Sequence, residues 1–486
     1  MIIRIFLFIM FLLSPAVLSA QEMEKNITVD EAISIAMEQS IDAMFAKNNY
    51  LISYWQFRNF KAELLPSVFL DGTIPSLNRA LYPHQLEDGS YKFVRTSTIQ
   101  ENLSLSINQN IPLTGGQVSV QSQLQRIDQL GDNKYTSYLS VPLSVTFSQP
   151  LITYNSLKWA KKIEPEHYEK AQKQYLIDVE NIKIKTINYY FDLLVASVNV
   201  DISNQNLKNA TTLHEIAIGK KKLGLISDND LYQLELNMLN ASSAIIVAKQ
   251  NYQKKLLAFS NYIRYKDFYK LKPVIPHKCY NTSISFEQAY DIAKRNNPLS
   301  NSVKIQLIEA QRDISQAKAS RGFKADLYVS LGFTGSNTKL VDSYKILSNR
   351  QIVSLGIRIP ILDWGKSKGN IKIAESQYNI VKETVEQNQI DFEQNLFQYI
   401  NEYHDQNKLL EIAQHADSIA GLRYETSIKT FIMGQINVLD INSAQIERDN
   451  AKRQLINEMY SSWIYYYRIR QLTLFDFENN TDINLK

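Results

Sequence analysis

The spacing of apolar residues along this chain predicts two kinds of secondary structure. Across residues 139–147, apolar side chains stand at every second position and alternate with Ser, Pro and Thr, which indicates a β-strand with one apolar face. Residues 327–333 and 353–359 alternate in the same way. Residues from about 156 to 219 and from about 365 to 429 are polar and place their apolar side chains three or four apart, which predicts two long helices.

The same order of elements occurs twice. Residues 27–36 recur as residues 284–293, a shift of 284 − 27 = 257, whereas the later turn recurs at a shift of 434 − 224 = 210. The chain is therefore two tandem copies of one unit, and the first copy has 257 − 210 = 47 extra residues. The predicted boundaries are residues 21–283 for the first repeat, with an extra hairpin at about 77–137, residues 284–475 for the second repeat, and residues 476–486 for a polar tail.

The alternating strands have the composition expected of a membrane β-barrel. Their polar faces carry mostly Ser, Gly and Thr, and small uncharged residues suit a wet lumen opposite a lipid-facing apolar row. Tyr154 and Trp364 stand at matched positions after the strands, which predicts an aromatic girdle at the membrane interface. A soluble β-sandwich also alternates, so alternation by itself leaves both architectures open.

The helices favour the barrel over the sandwich. A helix of some 60 residues is roughly 90 Å long, and it cannot bury its apolar stripe inside a compact domain. It must pack laterally against similar helices, as in a coiled coil or a helical cylinder. A further helix is predicted from about residue 28 to 64, entered through Thr28 as its cap. The predicted fold class is therefore mainly α with a membrane β-barrel, built from two tandem structural repeats.

The remaining composition sets the compartment and excludes several functions. Residues 1–20 carry one positive charge, a short apolar run and small residues, which predicts a secretory signal peptide. Cys279 is the single cysteine, so no internal disulfide framework is possible. The net charge of +4 is nearly neutral and its cations are dispersed, so we expect no nucleic-acid partner.

No motif in the sequence indicates catalysis. The six histidines form no short metal-ligand spacing, and neither a Gly-rich phosphate loop nor a nucleophile elbow is present. We therefore expect no enzymatic activity, no catalytic or metal-binding residues and no cofactor.

The order of elements in this chain resembles that of the TolC-like outer membrane efflux proteins from about residue 27 to about residue 475. That order is helix, strands, long helix, Gly-containing turn and second helix, and it occurs twice. The turn sequences at residues 223–231 and 433–441 carry most of this resemblance. It implies a homotrimer with one β-barrel embedded in the lipid of the outer membrane of a Gram-negative bacterium and one coiled-coil helical tunnel in the periplasm. It also implies passive passage for substrates, delivered in efflux or type I secretion by an inner-membrane transporter and a periplasmic adaptor.

The resemblance assigns roles to the two turns. Gly224, Ser227, Gly434 and Asn437 correspond to the tip that family members present to the adaptor. Asp440 corresponds to an acid that narrows the tunnel mouth, and Asp230 is its counterpart in the first copy. Where the family has a second acid this chain has Ser443, and Phe431 and Ile436 replace a polar latch. Either acid could equally be a first-turn residue that stabilises the helix dipole.

The extra hairpin has two possible placements. It can extend the barrel wall to six strands per subunit, or it can project as an extracellular loop. Family members usually contribute four strands, and a wider barrel would not match a tunnel of twelve helices. We therefore expect the projecting loop.

Two other classes of protein remain as alternatives. A periplasmic coiled-coil scaffold or adaptor without a transmembrane barrel would explain the long helices but not the repeated strands. A barrel-embedded enzyme would explain the strands but requires a polar catalytic cluster.

Overall fold

The computed structural model describes residues 25–131, 134–266, 271–277, 280 and 282–485. The predicted signal peptide and Cys279 lie outside the described residues. In chain order the elements are β1 (Lys25–Ile27), α1 (Val29–Gln39), α2 (Ile41–Glu63), β2 (Ser67–Gln85), β3 (Tyr91–Ile111), β4 (Gly116–Leu130), β5 (Tyr135–Pro150), α3 (Ser156–Lys222), α4 (Asp228–Ile263), β6 (Leu271–Pro273), α5 (Phe286–Asn296), α6 (Leu299–Arg321), β7 (Lys324–Asn337), α7 (Leu340–Ser343), β8 (Ser348–Arg358), α8 (Lys366–Ile432), α9 (Val438–Thr473), β9 (Phe475–Asp476) and β10 (Thr481–Asp482).

The chain divides into two compact units, and each contains parts of both repeats. The helical unit combines the described parts of Met1–Asn48, Tyr175–Asn296 and Glu393–Lys486. The sheet unit combines Asn49–Gln174 and Asn297–Phe392. The repeats predicted from sequence and the compact units are therefore different divisions of the chain.

The long helices have the same lengths in both copies. α3 and α8 each have 67 residues, and α4 and α9 each have 36. α8 begins and ends 210 residues after α3, and α9 begins and ends 210 residues after α4, which is the shift found in the sequence. The two long helices predicted from apolar spacing are thus present, and their equal lengths support the duplication.

The amino-terminal helix differs from its prediction because it is two helices. Thr28 caps α1 with a capping box, in which the Glu31 N–H donates to Thr28 Oγ1 at 3.2 Å and the Thr28 N–H donates to Glu31 Oε2 at 3.0 Å. At Ser40 the backbone becomes extended, and Ser40 Oγ accepts the Ala43 N–H at 3.1 Å to begin α2. In the second copy Pro298 stands before α6, at the corresponding break. Ser40 thus ends one helix and caps the next in the first copy, whereas in the second copy Pro298 makes no side-chain cap and Asn297 Oδ1 accepts the Leu299 N–H at 2.9 Å.

The sheet unit contains one antiparallel sheet with strand order β2-β3-β4-β5-β7-β8. The extra hairpin, β3 and β4, lies inside this sheet, and its pairing runs without interruption from Ser97↔Leu130 to Ile111↔Gly116. The expectation that the hairpin projects as a separate loop is therefore wrong. Pairing with β2 and β5, with one register shift in each ladder, satisfies most backbone hydrogen-bonding groups of both added strands, which an isolated hairpin would leave half unpaired.

The turn between β3 and β4 lies at the end of the sheet where α3 begins. Asn155, just before α3, donates through its side-chain amide to the carbonyls of Pro112 at 3.0 Å and Leu113 at 3.3 Å. Gly115 has a φ of 76°, and a Cβ there would lie 3.1 Å from the Asn155 side chain. This turn thus requires glycine for both its conformation and its close contact.

The polar face of the sheet is partly covered by α7, in the β7–β8 connection. Ser140 Oγ, fully buried, donates to the Ser343 carbonyl at 2.6 Å. A Cβ at Gly335 would lie 2.0 Å from the same carbonyl oxygen. Some of the small residues that the sequence assigned to a wet lumen therefore serve instead to let this connection pack against the sheet.

The middle of the helical unit is held by buried tyrosines. The Tyr190 hydroxyl of α3 lies 2.8 Å from the Ile27 carbonyl oxygen and 2.7 Å from that of Val274, and it accepts the Val274 N–H at 3.0 Å. Burial raises the pKa of Tyr190, so its hydroxyl stays a donor. One side chain therefore fastens the parallel β1–β6 pair to the long helix.

A buried ion network fixes the carboxy-terminal segment to α3. The Arg470 guanidinium contacts the fully buried Glu180 at 3.2 Å and Asp476 at 2.6 Å. Burial alone would raise the pKa of Asp476, but the hydrogen bond from Asn479 and the charge of Arg470 outweigh it and hold that pKa well below its usual value. Asp476 also accepts the Tyr466 hydroxyl at 2.8 Å.

We expect Asp476→Asn to lower the free energy of unfolding by about 2 kcal/mol at pH 7, because it leaves Arg470 with less buried counter-charge. The pKa of Asp476 is lower in the folded state, so its stabilisation is complete above about pH 4 and declines as pH falls towards the folded-state pKa. Thermal unfolding followed by helical circular dichroism between pH 7 and pH 3 measures both effects.

Asp482→Asn is the matched control, because Asp482 lies on the same segment but is exposed, where it accepts one hydrogen bond from Asn296. It should change stability by less than about 0.5 kcal/mol. Equal effects of the two variants would contradict the role given to the buried network.

Candidate functional site at the paired helical turns

The turn between α3 and α4 reverses the chain through a left-handed glycine. Gly224 has a φ of 73°, and its N–H donates to the Lys221 carbonyl at 2.9 Å. The Leu225 N–H donates to the Lys220 carbonyl at 3.0 Å. These two bonds satisfy carbonyls at the end of α3 that the helix itself leaves unpaired.

The turn between α8 and α9 has the same geometry. Gly434 has a φ of 79°, and its N–H donates to the Phe431 carbonyl at 2.9 Å, while the Gln435 N–H donates to the Thr430 carbonyl at 3.1 Å. Each donor and acceptor residue of this turn follows its counterpart in the first turn by 210 positions. Gly224 and Gly434 therefore have an established conformational role as helix-ending residues.

Both returning helices begin with a capping box that uses the predicted mouth acids. The Asp230 N–H donates to Ser227 Oγ at 3.1 Å, and the Ser227 N–H donates to the Asp230 carboxylate at 3.3 Å. Asn437 and Asp440 make the same exchange at 2.9 and 3.3 Å. Both acids thus stabilise the first turn of a helix. Asp440 is exposed and Asp230 is half-buried.

The two turns differ in what lies beneath them. In the first turn, Lys221 and Asp228 form an ion pair at 2.8 Å across the hairpin. The equivalent positions in the second turn, Phe431 and Val438, are apolar and buried. Phe431 therefore belongs to the apolar core. That core brings both hairpins together and consists of Leu213, Ala217, Leu234, Tyr424, Phe431, Val438, Ile441 and Ala444.

Lys220 joins the two turns directly. Its ammonium group donates to the Phe431 carbonyl at 2.8 Å and lies 4.7 Å from the centroid of the Phe431 ring. The carbonyl is at the C-terminal end of α8, where a cation interacts favourably with the helix dipole. The corresponding residue of the second copy is Thr430, which donates to the Thr426 carbonyl of its own helix. Only the first copy therefore provides this link.

A second set of polar contacts lies further from the turns. Arg448 Nη2 donates to Asn206 Oδ1 at 2.6 Å, and the Asn206 amide donates to the buried Asp449 at 2.6 Å. The Arg448 guanidinium stacks 4.1 Å from the Tyr424 ring, whose hydroxyl accepts the Asn209 amide at 2.9 Å. The sequence offered no signal for the three hydrogen bonds, because their partners come from different repeats more than 200 residues apart.

The turns also expose apolar side chains. Leu223, Leu225, Met433 and Leu439 are 65–74% exposed. A cavity of about 670 Å³ is lined by both turns, including Lys220, Ile226, Met433 and Asp440. Exposed apolar groups beside a cavity with polar residues are typical of a protein-binding surface.

The other predicted site residues lie elsewhere. Ser443, on α9, is exposed and donates to Glu447 at 3.1 Å. Trp364 is 89% exposed between β8 and α8, whereas Tyr154 is half-buried between β5 and α3, close to Arg312. Within the described residues, no group of three His, Cys, Asp or Glu side chains could hold a metal ion. No helix of the described chain has the length and apolar character to cross a membrane.

Two helical hairpins with matching tips, joined in one chain to an antiparallel sheet, are similar to the outer membrane efflux proteins in the comparisons that follow. Residues 289–473 match the family model described as outer membrane efflux protein. Toxin and drug export protein A of Aggregatibacter actinomycetemcomitans is 21% identical over 423 residues, covering 82% of this chain and 83% of that protein.

Solved structures have the same fold. The CmeC outer membrane channel of Campylobacter jejuni matches with a TM-score of 0.65 at 15% identity, over 94% of this chain and 87% of that one. The outer membrane protein VceC of Vibrio cholerae matches with a TM-score of 0.63 at 11% identity, over 92% and 95%. The resemblance of this chain to the TolC-like outer membrane efflux proteins is thereby confirmed.

We expect Lys220→Met to loosen the second turn, because it removes the charged hydrogen bond to the Phe431 carbonyl while keeping most of the side-chain volume. At about 1 kcal/mol for a partly exposed bond, amide hydrogen exchange at residues 431–437 should become roughly fivefold faster. Lys222→Met, two residues away and exposed, is the control and should leave exchange unchanged. Unchanged exchange in Lys220→Met would show that the apolar core alone holds the turns together.

Proposed function

We propose that this chain is a subunit of an outer-membrane export channel. It gives passive passage to substrates that an inner-membrane pump and a periplasmic adaptor deliver, and it performs no chemistry. The observation that supports this most strongly is the pair of matching turns at the ends of two long hairpins. Sequence similarity to toxin and drug export protein A supports an export function.

The alternative of a periplasmic scaffold without a transmembrane part is disfavoured by the sheet. Val353, Leu355 and Ile357 of β8 form an exposed apolar row, and the opposite face carries Ser354 and Gly356. A periplasmic protein would have to cover such a row, whereas lipid covers it in an outer membrane. We propose that three copies close one barrel, to which each contributes its six strands.

The tips are the proposed contact with the adaptor. Gly224 and Gly434 allow the left-handed turns, and Ser227 and Asn437 cap the returning helices. The exposed apolar side chains supply contact area. In a trimer, Asp440 and Asp230 would ring the tunnel mouth, and Ser443 would stand one helical turn further in. The capping role of both acids is compatible with this, because a capping carboxylate keeps oxygen atoms facing solvent.

The docking proposal predicts that Leu225→Asp combined with Met433→Asp abolishes export while trimers still reach the outer membrane. Both side chains are exposed, so the change removes apolar contact area without disturbing the core. Export of a fluorescent substrate from cells that lack their own channel measures function, and heat-modifiable migration on a gel measures assembly. Gly434→Leu should also stop export, but its strained φ makes an assembly defect part of the result.

Leu422→Asp is the matched control, since Leu422 lies on the shaft of α8 and is as exposed as Met433 at 65%. It should retain export. If Leu422→Asp fails equally, or if the tip variant exports normally, the tips are not the docking surface.

The orientation of the sheet is tested by cysteine labelling in a Cys279→Ser background. Thr114→Cys lies at the end where α3 begins, so in the proposed channel it faces the periplasm and is protected from an impermeant maleimide on whole cells. Asp88→Cys lies at the opposite end, in the β2–β3 turn, and should be labelled. Labelling of Thr114→Cys from outside would contradict this orientation.

A further inference from the structure

A group of cations surrounds a cavity where α6 enters β7 and β8 leads into α8. The cavity has a volume of about 570 Å³, and its lining includes Lys318, Arg321, Lys368 and Lys372. All four side chains belong to exposed residues of the sheet unit. We call these four residues the basic pocket.

The two acids near the basic pocket are already engaged by the protein. Glu375 accepts Lys372 at 2.7 Å, and the pKa of Glu375 is lowered by this hydrogen bond and by the charge of Lys372, with Lys318 adding to the effect. Asp363 accepts the N–H groups of Ser367 and Gly365, both at 3.0 Å. Since four cations face two carboxylates, the pocket keeps an excess of positive charge.

The first copy repeats part of this arrangement. Lys61, Lys158 and Lys162 correspond to Lys318, Lys368 and Lys372 at the shifts of 257 and 210. Two of them lie over aromatic rings, Lys61 at 4.5 Å from the Phe57 centroid and Lys162 at 5.1 Å from that of Trp159. The counterpart of Arg321 is Leu64, so the second copy has the more basic pocket.

Apolar residues follow the last strand beside the basic pocket. Ile361 and Trp364 are 95% and 89% exposed, and they lie in the connection that leads into α8, which carries Lys368 and Lys372 of the pocket. An exposed tryptophan beside isoleucine is typical of the boundary between acyl chains and headgroups. A ligand that fits this surface has a negatively charged phosphate and an apolar part.

We propose that the basic pocket binds the phosphate of an anionic glycerophospholipid from the periplasmic leaflet of the outer membrane. Clustered Lys and Arg side chains at the edge of a bilayer bind anionic headgroups, and an Arg binds phosphate through two parallel hydrogen bonds. The lipid is favoured over free phosphate because Ile361 and Trp364 can cover its acyl chains. The proposal rests on the proposed function, which places this end of the sheet at the membrane.

The test uses the purified full-length mature protein in dodecyl maltoside, with cardiolipin as the probe and retained lipid counted by native mass spectrometry. The variant is Lys318→Gln/Arg321→Gln/Lys368→Gln, which leaves the Lys372–Glu375 pair intact. Cardiolipin binding should weaken roughly tenfold or more. Phosphatidylcholine, which has no net charge, should bind weakly to both proteins. Inorganic phosphate at about 5–10 mM, a concentration on the order of the dissociation constant of a weak anion site, should not displace cardiolipin.

Two controls keep the result interpretable. Lys318→Arg/Lys368→Arg keeps the charge and should retain cardiolipin. This expectation can be tested even if the triple variant folds poorly. Lys382→Gln/Lys408→Gln/Lys429→Gln removes three charges along α8 outside the pocket and should also retain cardiolipin. Undiminished binding in the pocket variant overturns the proposal, and displacement by inorganic phosphate identifies the pocket as a free-phosphate site. A protein that forms conducting channels in liposomes yet shows no preference for cardiolipin refutes this inference alone, whereas failure to insert refutes the proposed function.

Discussion

The long helices are stable only where their apolar stripes are covered from the side, and the rest of the structure depends on this constraint. In the helical unit the stripes of α3 and α8 are covered, and residues such as Ile187 and Leu396 are fully buried. In the sheet unit, α8 leaves Ile373 and Ile380 exposed. A 67-residue helix cannot cover these positions by itself, since its own residues lie along one axis. In the proposed trimer, neighbouring copies supply the missing contacts.

The two repeats show how one backbone geometry serves two different surroundings. Both turns use a left-handed glycine and a capping box with nearly identical distances. At equivalent positions, however, the first turn has the Lys221–Asp228 ion pair and the second has buried Phe431 and Val438. The first turn therefore tolerates solvent beneath it, whereas the second is part of the core that joins the hairpins. Lys220 adds a directional contact between them.

The sheet illustrates why composition alone gives an incomplete account of a polar face. Small residues are necessary for a wet lumen, but they are equally necessary where a connection packs closely against strands. Gly335 and Ser140 serve the second purpose, because α7 approaches the backbone there too closely for a side chain. The same composition thus serves packing at one end of the strands and is available to line a lumen elsewhere.

The sequence by itself determined the long helices, the alternating strands, the duplication and the two glycine turns. Helix periodicity, the capping residues Thr28, Ser227 and Asn437, and the left-handed positions at Gly224 and Gly434 are encoded within a few neighbouring residues, because their hydrogen bonds close locally. The repeat fixed the correspondence between copies, and the resemblance of the chain supplied the family.

Only the tertiary structure decided where the extra hairpin lies, which residues join the two turns, and how Arg470 holds the carboxy-terminal segment. Most of the partners in these contacts are separated by many residues, up to 290 in the case of Glu180 and Arg470. Sequence spacing cannot identify such pairs, because burial and complementary charge arise only when the separate elements pack together.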